Sequence, residues 1–215
     1  MHVLLDNLDL FGPGFLTTVE LFFWAAIGSL VLGTILAVLR VSPVPVLRAA
    51  GTTYVTILIN TPLTLVFLFF AFGFPVLRLA NLSPFWGAVT ALVLYTSAFI
   101  CEAVRSGINT VDAGQTEASR AIGLTFGQMI SSVVLPQAMR SVLPPMMSQL
   151  IALLKNTTIA AGFSVAEAGA VQSYLSERGE NVLIGLLWVA LFFIILVIPL
   201  TLLQRGLEKR WSLAR

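Results

Sequence analysis

Residues 114–123 read GQTEASRAIG, a polar stretch inside a chain that is mostly apolar. Thr116 can cap a helix, and Glu117 would then lie in the first turn, where the helix dipole favours a carboxylate. Gly123 suits the left-handed conformation in which many helices end. The stretch therefore predicts a short helix that ends at a glycine turn.

A second helix follows the turn. Thr125 and Gln128 have the spacing of a capping box, in which two polar side chains satisfy the free amides at a helix start. We expect this helix to run to Val134 and to stop before Leu135-Pro136. A flexible linker needs no helix caps and no glycine at its turn, so the pattern favours a docking surface over a plain linker.

The composition indicates that the solvent of this chain is a lipid bilayer. Its 215 residues are 58% hydrophobic and only 10% charged, whereas about a quarter of the residues of a soluble domain are charged. The net charge of +2 gives no case for a nucleic-acid partner. His2 and Cys101 are the only histidine and cysteine. An internal disulfide and metal sites built from Cys or His are therefore excluded.

The apolar segments are long enough for membrane helices, which need about 20 apolar residues each. No alternating pattern typical of a membrane barrel is present. Acidic Asp6 and Asp9 and the length of the first apolar run are not typical of a cleavable signal peptide. We predict an all-α membrane protein, a single transmembrane domain over 1–215, with five spans at about 15–39, 54–77, 85–104, 142–166 and 181–203.

The placement of Lys and Arg predicts the orientation of the spans, because cytoplasmic loops are enriched in both. Two cations, Arg78 and Arg178, fall on one side of the predicted membrane. The larger group on the other side comprises Arg40, Arg48, Arg105, Arg120, Arg140, Arg205, Lys209, Arg210 and Arg215. We therefore expect the N-terminus outside, the C-terminus in the cytoplasm, and the link of about 105–141 in the cytoplasm.

The link 105–141 resembles the EAA motif of binding-protein-dependent ABC importer permeases. That motif reads E-A-A, three residues, G, nine residues, I, one residue, L-P; Ser119 and Val133 are mild departures from it. The resemblance implies a type I ABC importer permease fold and a loop that docks into a groove on a cytoplasmic ATPase. The residues implied in this coupling are Gly114, Gln115, Glu117, Ala118, Ser119, Ala121, Gly123, Leu124, Leu135 and Pro136.

Other stretches are similar to the same family. Asn60-Thr61-Pro62-Leu63 resembles its G-T-P-L element, and Lys155-Asn156-Thr157-Thr158 resembles its K-D-T-S element. A third element of the family is matched by Tyr95, Glu102, Arg105, Gly107 and Ile108. The sequences of these stretches are most similar to those of actinobacterial glutamate importer permeases. The resemblance implies transport of a polar amino acid, either glutamate or glutamine or aspartate; arginine or histidine is the alternative.

The resemblance also implies the partners. They are two ATPase subunits that hold ATP and Mg, an external amino acid binding protein, and a second permease that is either a copy or a paralogue of this chain. The sequence contains no G-x-x-x-x-G-K-[ST] phosphate-binding loop. We therefore expect a transport subunit without an ATPase site or bound cofactor of its own, in a bacterial plasma (inner) membrane that it crosses several times.

Lys155 lies roughly 20 Å into its predicted span, at 1.5 Å per residue. A lysine at that depth usually faces a cavity or a partner. In one interpretation Lys155, Asn156, Thr157 and Thr158 line the substrate path, and Asn60, Thr61 and Pro62 are further candidates for it. In the other, Lys155 reaches outward or pairs with a structural carboxylate. Both interpretations of Lys155 remain open. Family relatives often carry Asp at position 156, and the absence of that negative charge here would suit an anionic substrate.

Glu102 and Arg105 are three residues apart and can meet on one helix face. A structural pair that anchors the link 105–141 is favoured over a gating role.

Three rival classes fit the sequence less well. An intramembrane protease needs histidine ligands or a pair of aspartates, and the predicted spans contain neither. A secondary transporter typically has more spans or repeated halves. A purely structural membrane subunit would not need the capped, EAA-spaced link.

Overall fold

The computed structural model describes residues 2–78 and 81–212, and within them the regular structure is entirely helical. Arg215 and the side chain of Arg210, both used above for the orientation, lie outside what is described. The α-helices are α1 His2–Leu5, α2 Leu8–Val41, α3 Pro45–Ile59, α4 Leu63–Leu68, α5 Phe74–Leu77, α6 Pro84–Ile108, α7 Ala113–Ala121, α8 Phe126–Met129, α9 Leu135–Asn156, α10 Val171–Glu177 and α11 Val182–Ser212. Phe69–Gly73 and Ile130–Val134 are π-helical turns, and Thr157–Phe163 and Ala168–Ala170 are 3₁₀ turns.

The chain divides into two compact units. The first unit comprises Met1–Gly28, Thr61–Val93 and Ile151–Leu200, and the second comprises Ser29–Asn60, Leu94–Leu150 and Thr201–Arg215. Each unit is assembled from three separate stretches, so the residues of each unit come together only in the folded chain.

The first unit has a hydrophobic core to which α2, α10 and α11 contribute. Phe11 and Leu175 are buried there, and the ring of Phe15 lies 5.1 Å from that of Phe192. Beside it, Arg178 donates to Asp9 at 2.6 Å. These contacts attach the start of α2 to α11 and to the segment that precedes α11.

The second unit has a core in which backbones approach closely. A Cβ at Gly33 would lie 2.6 Å from Cβ of Ile100, and one at Gly107 would lie 2.1 Å from Cγ2 of Val142. Neither position has room for a side chain. Small residues at such points allow membrane helices to pack against one another.

Three predicted spans correspond to long apolar helices. By length and composition Leu8–Val41, Pro84–Ile108 and Val182–Lys209 can each cross a membrane, and the bent pair Pro45–Ile59 and Leu63–Leu77 adds a fourth if it forms one span. The predicted spans 15–39, 85–104 and 181–203 coincide closely with these three helices, and their crossing of the membrane stays a prediction.

The predicted span over 54–77 is bent and not one continuous helix, and its crossing of the membrane stays a prediction. The helix begins earlier, at Pro45, and is interrupted at residues 60–62 before α4 starts. Pro62 has no backbone N–H to continue the ladder, and a proline disfavours helical geometry in the residue before it. The π-helical turn Phe69–Gly73 then precedes Pro75, which α5 holds in its first turn.

The expectation over 142–166 needs a similar correction. The helix α9 runs from Leu135 to Asn156, tightens into the 3₁₀ turn Thr157–Phe163, and ends where Ser164 takes a φ of 62°. The predicted helix stop before Leu135-Pro136 is also wrong, because the chain stays helical through Ile130–Val134 into α9. A proline ring clashes with the carbonyl four residues earlier in an α-helix, and the wider π-helical turn relieves that clash.

Candidate functional site

The helix α7 starts earlier than Thr116. Asp112 is its N-cap, and Oδ1 of that side chain accepts the N–H of Gly114 at 2.6 Å. The predicted cap at Thr116 is wrong: its hydroxyl donates to the carbonyl of Ala113 at 2.7 Å, inside the helix. Two residues able to cap stand close together, and the upstream one brings Ala113 and Gly114 into the helix.

The end of α7 follows the prediction. Gly123 has a φ of 83°, and its N–H donates to the carbonyl of Arg120 at 2.9 Å. The N–H of Leu124 donates to the carbonyl of Ser119 at 3.1 Å. The capping box that starts α8 is also confirmed, because Thr125 and Gln128 exchange both of its hydrogen bonds.

The helix α7 has a buried side and an exposed side. Ser119 is buried and donates to the carbonyl of Gln115 at 2.6 Å, and the helix packs against the π-helical turn Ile130–Val134. Ile122, which sequence reasoning did not select, is 77% exposed although it is apolar. The exposed predicted residues are Gly114, Gln115, Glu117, Ala118, Ala121 and Gly123. This exposed side can take a partner.

Leu135 and Pro136 do not belong to α7. They open α9, directly after the π-helical turn on which α7 packs. Leu135 and Leu124 are half-buried, and Pro136 is exposed.

Glu102 bonds two arginines. Arg105 donates to Oε2 through Nε at 3.1 Å and through Nη2 at 2.8 Å, which is the contact that the three-residue spacing predicts. Arg40 donates through Nη1 to the other oxygen, Oε1, and only 12% of the Arg40 side chain is exposed. Sequence reasoning missed Arg40, because it lies 62 residues away on α2.

Lys155 lies along a groove of about 420 Å³ that it shares with Thr158 and with residues of α11 such as Phe193 and Val197. Its side chain is exposed. No carboxylate within residues 2–78 and 81–212 forms an ion pair with it. The interpretation in which Lys155 pairs with a structural carboxylate of this chain is therefore not found in the structure.

The hydroxyl groups beside Lys155 already have acceptors. Thr157 is buried and donates to the carbonyl of Leu154 at 2.8 Å, and Thr158 donates to the carbonyl of Lys155 at 2.8 Å. Each hydroxyl oxygen can still accept, but only the half-buried Thr158 is open to a solute. Asn156 is half-buried. Thr157 is buried in this conformation, and its contact with a solute stays a prediction.

Residues 60–62 form the break between α3 and α4. Asn60 is exposed and donates through Nδ2 to the carbonyl of Thr56 at 2.7 Å, while Pro62 is the N-cap of α4. Within the first unit α4 packs against Thr157–Phe163, and the rings of Phe67 and Phe163 stack at 5.2 Å. The helix that follows Thr61-Pro62 is thus brought to the segment that follows Lys155.

The two arginines of the Glu102 cluster should differ in coupling energy. In double-mutant cycles with Glu102→Gln, we expect about 1–3 kcal/mol of coupling for Arg40→Gln and less than about 1 kcal/mol for Arg105→Gln. The reason is exposure, 12% for the Arg40 side chain against 37% for Arg105. Unfolding free energies in one detergent measure both cycles, and equal couplings would contradict the assignment of Arg40 as the principal partner.

Residues 29–213 match the family described as binding-protein-dependent transport system inner membrane component.

Full-length relatives are similar to this chain. The glutamate transport system permease protein of Corynebacterium efficiens is 44% identical over 92% of this chain and 90% of its own length. Its namesake in Corynebacterium glutamicum is 41% identical over 94% of each. The probable glutamine ABC transporter permease protein of Bacillus subtilis is 38% identical over 98% of this chain and 97% of its own length.

Solved structures share the fold. A crystal structure of an amino acid ABC transporter with histidines has a TM-score of 0.86 and 25% identity, covering 96% of each chain. An inward-facing methionine ABC transporter has a TM-score of 0.80 and 19% identity, covering 96% of this chain and 98% of its own.

Proposed function

We propose that this chain, which belongs to the family of binding-protein-dependent transport system inner membrane components, is the permease subunit of an ABC importer that carries glutamate into the cell. Its full-length relatives in two Corynebacterium species are named as glutamate permeases. The observation that carries the proposal is the exposed side of α7, because it presents the EAA-spaced residues where a partner can reach them.

The protein is a multi-pass protein of the inner membrane, and we infer five crossings. Three are the long apolar helices, one is the bent pair Pro45–Ile59 and Leu63–Leu77, and one is α9 with its 3₁₀ extension to Phe163. An odd number of crossings agrees with the Lys and Arg count, which favours an outer N-terminus and a cytoplasmic C-terminus.

Partner ATPases, which hold ATP and Mg, would drive transport through α7. Glu117 and Gln115 supply exposed polar groups, and Ile122 supplies an apolar contact at the helix end. The other side of α7 packs on Ile130–Val134, which continues directly into α9. A movement of α7 is thereby passed to the helix that carries Lys155, as expected for a rigid-body switch.

The substrate path would use the groups around Lys155. Its ammonium has no carboxylate partner among the described residues and can bind an acidic solute. Asn156 is neutral, and Oγ1 of the half-buried Thr158 can accept a hydrogen bond from the ammonium of an amino acid. A second permease, either a copy or a paralogue, would complete the path, and an external binding protein would deliver the substrate.

The proposal is tested by uptake of labelled glutamate in cells with and without the gene. Loss of uptake on deletion is expected, with competition by aspartate or glutamine and none by arginine. Restoration by the wild-type gene on a plasmid is the control. Uptake that persists without the gene would discard glutamate as the substrate, and competition by arginine or histidine would assign the chain to the cationic alternative.

Asn156→Asp should change substrate selection. A carboxylate beside Lys155 would neutralise its attraction for an acidic substrate, so we expect glutamate uptake to fall about tenfold, equivalent to about 1.4 kcal/mol. Discrimination against arginine should fall with it. The matched control is Asn181→Asp, where Oδ1 accepts the N–H of Ile184 at 3.2 Å and a carboxylate keeps that bond. Unchanged discrimination in Asn156→Asp would remove this residue from the path.

A further inference from the structure

Glu167 is a carboxyl group buried without a cation. Its side chain is 0% exposed, Oε1 accepts the N–H of Gly169 at 2.7 Å, and Oε2 lies 3.0 Å from Oγ1 of Thr18 on α2. No Lys or Arg in the described residues pairs with it. Burial raises the pKa of Glu167 to about 7, although the hydrogen bonds from Thr18 and Gly169 act to lower it. Sequence reasoning gave this residue no role.

The hydrogen bonds around Thr18 are better satisfied when Glu167 carries a proton. Oγ1 of Thr18 lies 3.1 Å from the carbonyl of Gly14, 3.0 Å from Oε2 of Glu167 and 3.0 Å from the amide of Ala168. A hydroxyl has one proton to donate and two lone pairs that accept. A neutral Glu167 donates to Thr18 itself, so that Thr18 accepts twice and donates to Gly14. An ionised Glu167 would take the only proton.

Other ionisable groups near this point do not compensate a charge on Glu167. In the first unit α2 carries Asp9 and Glu20; Asp9 is paired with Arg178, and Glu20 is exposed. The helix α10 carries Tyr174 and Glu177, both exposed, and the turn Thr157–Phe163 carries no ionisable side chain. Burial alone raises the pKa of Glu167, and the hydrogen bonds from Thr18, Gly169 and Ala168 act against it.

Glu167 joins two parts of the first unit through the turn Ala168–Ala170. On one side, a Cβ at Gly14 of α2 would lie 3.5 Å from Cα of Ala168. On the other side, a Cβ at Gly169 would lie 3.2 Å from the carbonyl oxygen of Thr158 and 3.4 Å from Cβ of Ala161. The turn therefore packs closely against α2 on one side and against Thr157–Phe163 on the other.

We propose that Glu167, as a neutral acid bonded to Thr18, is a positioning residue that holds Thr158 and the turn Thr157–Phe163 in the arrangement that passes substrate. The transport part of this inference rests on the proposed function. An ionised Glu167 must be hydrated, and water that enters between α2 and Ala168–Ala170 would loosen the contact with Thr158. The side chain acts through Thr158 and does not itself touch the solute.

The test compares wild-type protein with Glu167→Gln in the complete transporter, reconstituted with its ATPases and binding protein. Gln is neutral at every pH, accepts from Gly169 and donates to Thr18 through its amide. Between about pH 6 and about pH 8, one unit on either side of the pKa of about 7, the neutral fraction falls from about 90% to about 10%. Uptake by wild-type protein should fall about tenfold relative to Glu167→Gln.

Two further variants separate positioning from a structural role. Glu177→Gln removes an exposed carboxyl from the same segment, and its uptake relative to wild type should not change with pH. Glu167→Ala should lose uptake at both pH values. A carboxyl needed only for packing would reduce the amount of folded transporter without making the rate per folded molecule depend on pH. A ratio of wild type to Glu167→Gln that is equal at both pH values overturns the proposal.

An infrared spectrum tests the neutral acid without any transport. Purified wild-type protein at about pH 6 should show the C=O stretch of a protonated carboxylic acid, which Glu167→Gln lacks and which fades towards about pH 8. Absence of that band at about pH 6 overturns the proposal.

Thermal unfolding gives a second readout that does not depend on transport. The pKa of Glu167 is about 7 in the folded protein, against an ordinary value of 4.5. The stability of wild-type protein relative to Glu167→Gln should therefore fall as pH rises from 4.5 to 7 and then level off. A flat difference would overturn the proposal. Failure of the proposed function gives a different result. Wild-type protein would then take up no amino acid at either pH, while the infrared band and the stability difference would still change with pH.

Discussion

Every polar group in this chain that is removed from water must find a partner within the protein, because the lipid interior offers none. The hydroxyls of the long helices meet this requirement locally. Thr34 donates to the carbonyl of Leu30 and Thr90 to that of Trp86, each four residues back. No buried side-chain nitrogen or oxygen among the described residues is left without a hydrogen bond. The same requirement explains the bonds of Glu167 to Thr18 and of Glu102 to Arg40.

The irregular turns of the helices lie next to the residues that we propose for ATPase coupling and for the substrate path. The break at residues 60–62, the π-helical turn before Pro136 and the 3₁₀ turn after Asn156 each interrupt the regular ladder. Non-helical backbone at membrane depth is tolerated only where protein or a water-filled cavity covers it. Unwound segments near the middle of a membrane commonly bind the substrate in transporters. Lys155 lies directly before the 3₁₀ turn, at the end of α9.

Local features could be predicted from the sequence because they depend on residues a few positions apart. The capping box of Thr125 and Gln128, the glycine turn at Gly123 and the pair Glu102–Arg105 all belong to this class. The contacts of Arg40 with Glu102 and of Thr18 with Glu167 span 62 and 149 residues, and no local pattern reports them. The sequence predicts a helix stop before Leu135-Pro136, but a π-helical turn, which has no simple sequence signature, accommodates the proline.

The exposed side of α7 is the surface through which we propose that an ATPase binds this chain. Co-purification of the ATPase with the membrane-extracted permease tests this most directly, in wild type, in Glu117→Arg, and in Glu177→Arg as an exposed control with the same change of charge. We expect Glu117→Arg to lose the ATPase and ATP-driven uptake together, and Glu177→Arg to retain both. Full association and full uptake in Glu117→Arg would contradict the proposal.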